Sequence, residues 1–327
     1  MLPLSYILPI KAPGPAHPRD GDLDRFLRTL VTLVDEVIVD GSDPIAFRAN
    51  TRAWAGIDIA HVPPDPWQAP RNGVTNGKVA GVRTGLRLAT HEIVVLADDD
   101  VRHTGSTLAE MVRRLDGADL VWPQNHFDPL PWHARWDTAR TLLNSALHHD
   151  YPGTVGLRRG ALEALRGYDG DVLFENLELL RTMQVGGARV AICPDVHVAR
   201  RPPSTAHFAS QRLRQAYDSL ATPGRFILEL TVLPLVLVAA LQRDHRKLVG
   251  AAALTVAVAE LGRRRAHGRD VFPPTSALWA PVWVLERAIC AWIALAARVL
   301  LGGIRYGDVR LVRAATPRGV LRPRLAT

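Results

Sequence analysis

Through the first two hundred residues, apolar positions fall in short runs separated by polar, glycine- or proline-bearing turns. Leu4 to Ile10 is a compact apolar run that predicts a strand. From Asp22 to Val34 the residues Leu23, Phe26, Leu27, Leu30 and Val34 recur at three- and four-residue spacing, which predicts a helix with one buried face. Val37 to Val39 in "DEVIVDGSDP" predicts a short strand closing on Asp40 and a turn, and "GIDIAHVPP" predicts another strand ending in proline. Gly77 to Ala89 has helical spacing, Ile93 to Ala97 reads as a strand, Leu108 to Leu115 as a helix and "ADLVWPQ" as a strand. Short strands alternating with helices predict an α/β fold, Rossmann-like, with a mainly parallel sheet covered on both faces. Ligands of such sheets bind at the carboxyl ends of the strands. Asp40 and the run Asp98, Asp99, Asp100 fall at two of those ends.

The pattern changes after residue 222. "FILELTVLPLVLVAALQ" (226–242) and "LVGAAALTVAVAEL" (248–261) are almost wholly apolar, with "RDHRK" between them. A third stretch, "ALWAPVWVLERAICAWIALAARVLLGG" (277–303), carries three tryptophans and is interrupted by Glu286 and Arg287. The first two are shorter than the roughly 20 residues that span a bilayer squarely, and a soluble helical hairpin is the alternative for them. Three such stretches, Trp within the third and basic residues in every connection predict membrane association. The run Arg263 to Arg265 reads as a cytoplasmic loop contacting anionic lipid. The expected organisation is therefore an α/β domain over 1–222, a hydrophobic helical membrane-associated region over 223–304 and a basic tail over 305–327.

Composition narrows the options. The 327 residues are 47% hydrophobic with a net charge of +8, but only 6% aromatic. A basic chain can seek nucleic acid, an anionic membrane or a phosphorylated ligand. No zinc-finger spacing and no aromatic RNA-binding motif is present, so no nucleic-acid partner is expected. The two cysteines, Cys193 and Cys290, fit no metal or redox spacing and suggest a reducing compartment. The apolar N-terminus "MLPLSYILPIKAPG" lacks a basic leader and reads as a first strand rather than a signal peptide.

The acidic run in "HEIVVLADDDVR" needs a physical reason, because three like charges repel. A solvated turn is one. A divalent-cation site is the other, since Mg²⁺ and Mn²⁺ take oxygen ligands and Mg²⁺ is commonly held by one or two carboxylates plus substrate phosphates. If the strand continues, period-two alternation puts Asp98 and Asp100 on one side and Asp99 on the other.

The surroundings carry a resemblance. "YILPIKAPG", "DEVIVDGSDP", "NGKVAGVRTGLRLATHEIVVLADDDVR", "GTVGLRRGALEALRGYDGDVLFENLELLRTMQVGGARVAICPD" and "QRLRQAY" occur in this order over about residues 4 to 220. In order and spacing they resemble the family 2 glycosyltransferases, which have the GT-A fold. The apolar tail is similar to that of the lipid-directed branch, the ceramide glucosyltransferase-like and hopanoid-type enzymes. The resemblance implies an inverting, metal-dependent glycosyltransferase. It would move a sugar from a nucleotide sugar, most commonly a UDP-sugar, to a lipid or lipid-linked acceptor. The catalytic domain would lie at the cytoplasmic face of the cell membrane. It further implies that Pro9 and Asp40 hold the nucleobase, that Lys78 lies near the ribose or diphosphate, and that Asp98 contacts the nucleotide. Asp98 and Asp100 would hold Mg²⁺ or Mn²⁺, which stabilises charge on the leaving group.

The chain departs from the family pattern at three positions. The general base is usually the Asp of a Glu-Asp pair, but here the pair is Glu175 and Asn176, and an amide cannot take the acceptor proton. Glu175 is the favoured base and Glu178 the alternative, one helical turn on. Gln211 and Arg214 match the family's Q-x-x-R, and Arg214 with Arg212 suits phosphate, but Gln215 stands where tryptophan is usual. Arg83 replaces a common Asn. These departures also motivate a different class of function, a non-catalytic nucleotide-sugar-binding or scaffold protein. His148, His149 and Asp150 read as a loop. Trp122, Trp132 and Trp136 read as packing. His197, Arg200 and Arg201 face a diphosphate or form a solvated basic edge.

Overall fold

The computed structural model describes residues 1–11, 21–40, 44–65, 76–306 and 309–325. The elements run β1 (Leu2–Pro9), α1 (Gly21–Leu30), β2 (Val34–Asp40), α2 (Pro44–Trp54), β3 (Ala60–Val62), α3 (Gly77–Leu88), β4 (Ile93–Ala97), β5 (Val101–Arg102), α4 (Gly105–Leu115) and β6 (Leu120–Phe127). Then come α5 (Trp132–Leu147), β7 (Thr154–Arg158), α6 (Arg159–Ala164), α7 (Glu175–Val185), β8 (Val190–Arg200) and α8 (Thr205–Asp218). The chain ends with α9 (Pro223–Leu241), α10 (His245–Arg264), α11 (Ala280–Leu300), the strands β9 (Ile304–Tyr306) and β10 (Val309–Leu311), and α12 (Arg318–Leu325).

The chain divides into two compact units that interleave in sequence rather than meeting at residue 222. The first holds 1–125, 152–200 and 317–327, and the second 126–151 and 201–316. The first is built on an eight-stranded sheet in the order β3-β2-β1-β4-β7-β6-β8-β5. The β3-β2-β1-β4 half is parallel. β7 is antiparallel to both β4 and β6, and β5 is antiparallel to β8, so the sheet is mixed. Its core joins Leu4, Tyr6 and Leu8 of β1 to Phe26, Leu27 and Leu30 of α1 and to Leu108, Met111 and Leu115 of α4. Strand order reverses between β1 and β4, a switch point where such sheets open a crevice.

Val34 belongs to β2 and not to the first helix, which stops at Leu30. The register Leu2↔Val34 shows why: the buried side chain that continues the helical spacing is also the first one β2 needs beside β1. Helix α2 carries no strong apolar stripe and buries only Ala46 and Trp54, so its sequence gave little signal.

In the second unit α5 packs with the C-terminal helices, because Ala139, Leu142 and Leu143 share a cluster with Ala259, Ala277, Ala280 and Trp283. Among the described residues, two helical stretches are long and apolar enough to cross a membrane, Pro223–Leu241 and Pro274–Leu300. Arg287 turns inward within this unit, 2% exposed, and donates to Gln215 Oε1 at 3.3 Å. The run Arg263 to Arg265 is a helix end rather than a loop. Arg263 and Arg264 end α10 and pair with Glu260, and Arg265 donates to the Ser145 and Ala146 carbonyls.

Helix α3 lies close on β1. A Cβ at Gly85 would overlap the side chain of Ile7, a buried β-branched residue that cannot swing away. Glycine in mid-helix costs about 0.5–1 kcal/mol against alanine, but overpacking costs about 1–3 kcal/mol. Gly85→Ala is therefore expected to lower the thermal midpoint by several degrees; an unchanged or raised midpoint would show that the sheet yields to the helix.

Candidate active site

The first unit gathers a charged cluster at the switch point. Asn76 caps α3, accepting from the Lys78 amide at 3.1 Å and donating to the Val172 carbonyl at 3.3 Å. That cap fixes the first helical turn, and with it the direction of Lys78. The Lys78 ammonium lies 2.5 Å from Asp98 Oδ1, 2.7 Å from Glu175 Oε1 and 3.2 Å from Asn176 Oδ1. Burial alone would lower its pKa, but the charges of Asp98 and Glu175 and their hydrogen bonds outweigh burial and raise it.

Glu175 and Glu178 occupy the first turn of α7, where the helix dipole favours anions. Glu178 is fully buried, whereas Glu175 meets Lys78. Asn176 donates to the Pro152 carbonyl at 2.9 Å while accepting from Lys78. A carboxylate could not make that donation, so the amide ties α7 to the segment before β7.

The three aspartates do not extend a strand. β4 ends at Ala97 and they form a turn, closed by the Val101 amide bonding the Asp98 carbonyl at 3.1 Å. The turn, and not strand pleat, brings Asp98 and Asp100 together and leaves Asp99 exposed. Arg200 spans the pair, with Nε 2.7 Å from Asp100 Oδ2 and Nη2 3.4 Å from Asp98 Oδ2. Asp100 Oδ1 is buried without a hydrogen-bond partner. Burial raises the Asp100 pKa; Arg200 opposes the shift and Asp98 adds to it.

Gly153 closes the site from below. Its carbonyl accepts from the Asp98 amide at 2.7 Å, and its own amide donates to Asn125 Oδ1 at 2.6 Å. A Cβ there would stand 2.5 Å from Asp98 Oδ2, so only glycine lets the carboxylate sit where it does. Pro9, Lys78, Ala97, Gly153, Tyr168 and Asn176 line a small pocket there. Pro9 pairs in register with Asp40 across β1 and β2. The side chain of Asp40 lies outside what is described.

The structure thus brings Pro9, Lys78, Asp98, Asp100 and Glu175 to one edge of the sheet. Gln211 and Arg214 belong to the second unit. There Gln211 bonds His207 at 3.0 Å and Arg214 lies 4.5 Å over the Tyr306 ring. Arg212 is occupied by Asp137 at 3.1 Å and Glu286 at 3.6 Å. Asp150 accepts from Arg140, Thr141 and Asn144, an anchor beside α5. The pattern of motifs did not point to Asn125, Gly153 or Tyr168. The only sequence signal for Gly153 is that it opens the "GTVGLRRG" run.

Two carboxylates with one unpaired buried oxygen are a hard-oxygen set that suits Mg²⁺ or Mn²⁺ completed by water and phosphate oxygens. Among the described residues no group of three His, Cys, Asp or Glu side chains converges to hold a metal alone. Asp98 and Asp100 would hold such an ion, and it would supply charge stabilisation of a departing phosphate.

Residues 23–166 match the model of glycosyl transferase family 2. The sheet, its order and its helices are those of a GT-A fold. Among solved structures the chain is similar to a mannosyltransferase from Pyrobaculum calidifontis, determined with GDP-Man and Mn²⁺. Identity is 19% over 92% of this chain and 76% of that one, with a TM-score of 0.46. It is similar also to glucosyl-3-phosphoglycerate synthase from Mycobacterium tuberculosis, determined with Mn²⁺, UDP-Glc and phosphoglyceric acid. There identity is 18% over 65% and 77%, with a TM-score of 0.45. TarS from S. aureus is matched at 13% identity over 67% and 40%, with a TM-score of 0.42. No curated protein matches the chain in sequence.

His103 lies just past the acidic turn, buried between Thr107 at 3.2 Å and Thr154 at 3.0 Å. Burial pushes its pKa down from 6.5 to about 3. The unfolded chain binds the proton first, so this contribution to stability is full above pH 6.5 and lost as pH falls toward 3. His103→Gln keeps an amide for the two threonines and removes the titration. Between pH 6.5 and 4.5 the variant should lose about 2–3 kcal/mol less stability than the parent, read by urea denaturation. Equal losses would show that His103 does not carry the acid sensitivity.

Proposed function

We propose that this chain is a cation-dependent inverting glycosyltransferase. It takes a nucleotide sugar as donor, a UDP-sugar first, and a lipid or lipid-linked acceptor at the cytoplasmic face of a membrane. The observation that carries the reading is the shared ammonium of Lys78, which joins Asp98 to Glu175 at 2.5 and 2.7 Å beside the Asp98–Asp100 pair. One cluster then holds both a cation site for a diphosphate and a carboxylate for the acceptor. Mg²⁺ or Mn²⁺ on Asp98 and Asp100 supplies the charge stabilisation that the departing diphosphate needs.

In this reading Glu175 takes the proton of the acceptor hydroxyl. The acceptor oxygen forms its bond to the anomeric carbon as the bond to the diphosphate breaks, and the nucleoside diphosphate leaves with that electron pair. Lys78 lies where it can turn from the carboxylates to a phosphate oxygen. Glu178 is the less suited base because it is fully buried beneath the helix turn. The two apolar helical stretches, with Ile227, Leu228, Leu235 and Leu237 of α9 exposed, support the membrane and lipid part of the proposal.

Calorimetric titration with UDP and GDP, with and without Mn²⁺, tests the donor half: one nucleotide should bind, and only with the cation. Glu175→Gln should keep that binding and lower transfer by about 10²–10⁴-fold. Were Glu178→Gln alone to stop transfer, the base would be Glu178. Binding with neither transfer nor donor hydrolysis would instead make the chain a nucleotide-sugar-binding protein.

A further inference from the structure

We infer that Arg200 is a resident counter-ion of the acidic turn, exchanged for the divalent cation, and that it thereby sets the metal affinity of the site. This rests on the cation-dependent reading above. The register of β5 with β8 pairs Val101 with Arg200, which delivers the guanidinium beside the turn from a strand 100 residues away. Its Nε and Nη2 reach both carboxylates at once, 2.7 Å from Asp100 and 3.4 Å from Asp98. A planar guanidinium with several donors can bridge two carboxylates in this way. It therefore engages the oxygens a metal would need.

The packing holds that arrangement closely. A Cβ on Gly153 would stand 2.5 Å from Asp98 Oδ2 and 3.4 Å from the Arg200 Cζ. The glycine leaves room for the carboxylate and the guanidinium together. Asp100 keeps one buried oxygen, Oδ1, without a hydrogen-bond partner, so Arg200 satisfies the pair incompletely. A divalent cation can engage that oxygen as well, which gives the exchange a direction.

Charge sets when the exchange occurs. Lys78 and Arg200 already place two positive charges against Asp98, Asp100 and Glu175. A divalent cation added alone would leave the cluster positive. Adding it with a diphosphate would restore the balance and give the released guanidinium a new acceptor. Arg200 is a positioning residue in this account. It weakens metal binding by the fraction of time it occupies the carboxylates.

Manganese binding, followed by loss of the free Mn²⁺ electron-spin-resonance signal, tests this without any turnover. Arg200→Ala should bind Mn²⁺ roughly tenfold more tightly than the parent, the factor expected for freeing one charge-assisted hydrogen bond. Arg200→Lys should fall between the two. Arg201→Ala, which removes the same charge one residue away, should leave the affinity unchanged. In EDTA the thermal midpoint of Arg200→Ala should lie below the parent's, because Asp98 and Asp100 then repel unscreened, and saturating Mn²⁺ should close the gap. Equal or weaker Mn²⁺ binding by Arg200→Ala overturns the inference. So does tightening by Arg201→Ala of the same size, which would reveal only a general field effect. If Arg200→Ala fails to fold, the lysine variant decides by the same measure. Parent protein that binds Mn²⁺ and nucleotide, with Arg200→Ala unchanged, sinks the role of Arg200 and leaves the transferase reading standing. Absence of Mn²⁺ binding in every form, with UDP or GDP present as well, sinks both.

Discussion

Everything at the switch point depends on neutralising carboxylates that the fold forces together. Asp98, Asp100 and Glu175 converge at the carboxyl edge of a sheet where burial makes uncompensated negative charge costly. Two cations answer them, each delivered by a different element. Lys78 comes from the capped first turn of α3 and Arg200 from the last position of β8. Arg102, nearer in sequence, instead meets the Asp99 carbonyl at 2.6 Å and pairs with Asp22. The cluster therefore ties α3, α7, β4 and β8 into one arrangement. The Asn76 cap, the Asn125 and Asn176 tethers and the bare Cα of Gly153 are the uncharged parts that hold its geometry. Removing either cation would expose repulsion rather than merely lose an attraction.

Much of this was legible in the sequence, for identifiable reasons. Strand ends and acidic residues coincide in "DEVIVDGSDP" and "HEIVVLADDDVR", and a parallel α/β sheet presents such ends together. The order of five weak motifs was enough for a fold, because order and spacing survive where single residues vary. The geometry inside the acidic run was not legible. Three residues after a strand continue it or turn, and apolar periodicity says nothing about polar positions. Long-range charge pairing was equally hidden: nothing near Arg200 in "PDVHVARRPPS" states that β8 runs antiparallel to β5 in the register that meets Asp100. Asn176 stands where the resemblance implies the base. Its bond to the Pro152 carbonyl shows an amide used for what only an amide can do in that place.

The second unit carries the same lesson in reverse. Glu286 and Arg287 interrupt an apolar stretch in sequence, and an interruption of that kind counts against a membrane helix. In the structure Arg287 is buried, within 5.0 Å of the Trp283 ring and bonded to Gln215, and Arg212 reaches Glu286 and Asp137. The charges face one another inside the unit instead of facing outward. Gln215, which stands where the resemblance implies a tryptophan, is the acceptor for Arg287.

That arrangement bears on what surrounds the helices. Single exposed apolar residues are ordinary on any protein surface. Here they are long side chains repeated along α9 and α11: Ile227, Leu228, Leu235 and Leu237 on one, Leu285, Ile289, Trp292 and Ile293 on the other. Each helix buries one charged residue, Glu229 on α9 and Arg287 on α11, while Thr231 and Arg298 stay exposed. The exposed leucines and isoleucines form a continuous apolar face on the two helices. Such an apolar outer face marks a surface that meets a partner or a lipid. The buried Glu229 and Arg287 thus explain how helices this apolar carry charge: the charge is spent on packing within the unit and leaves the outer face to leucine and isoleucine.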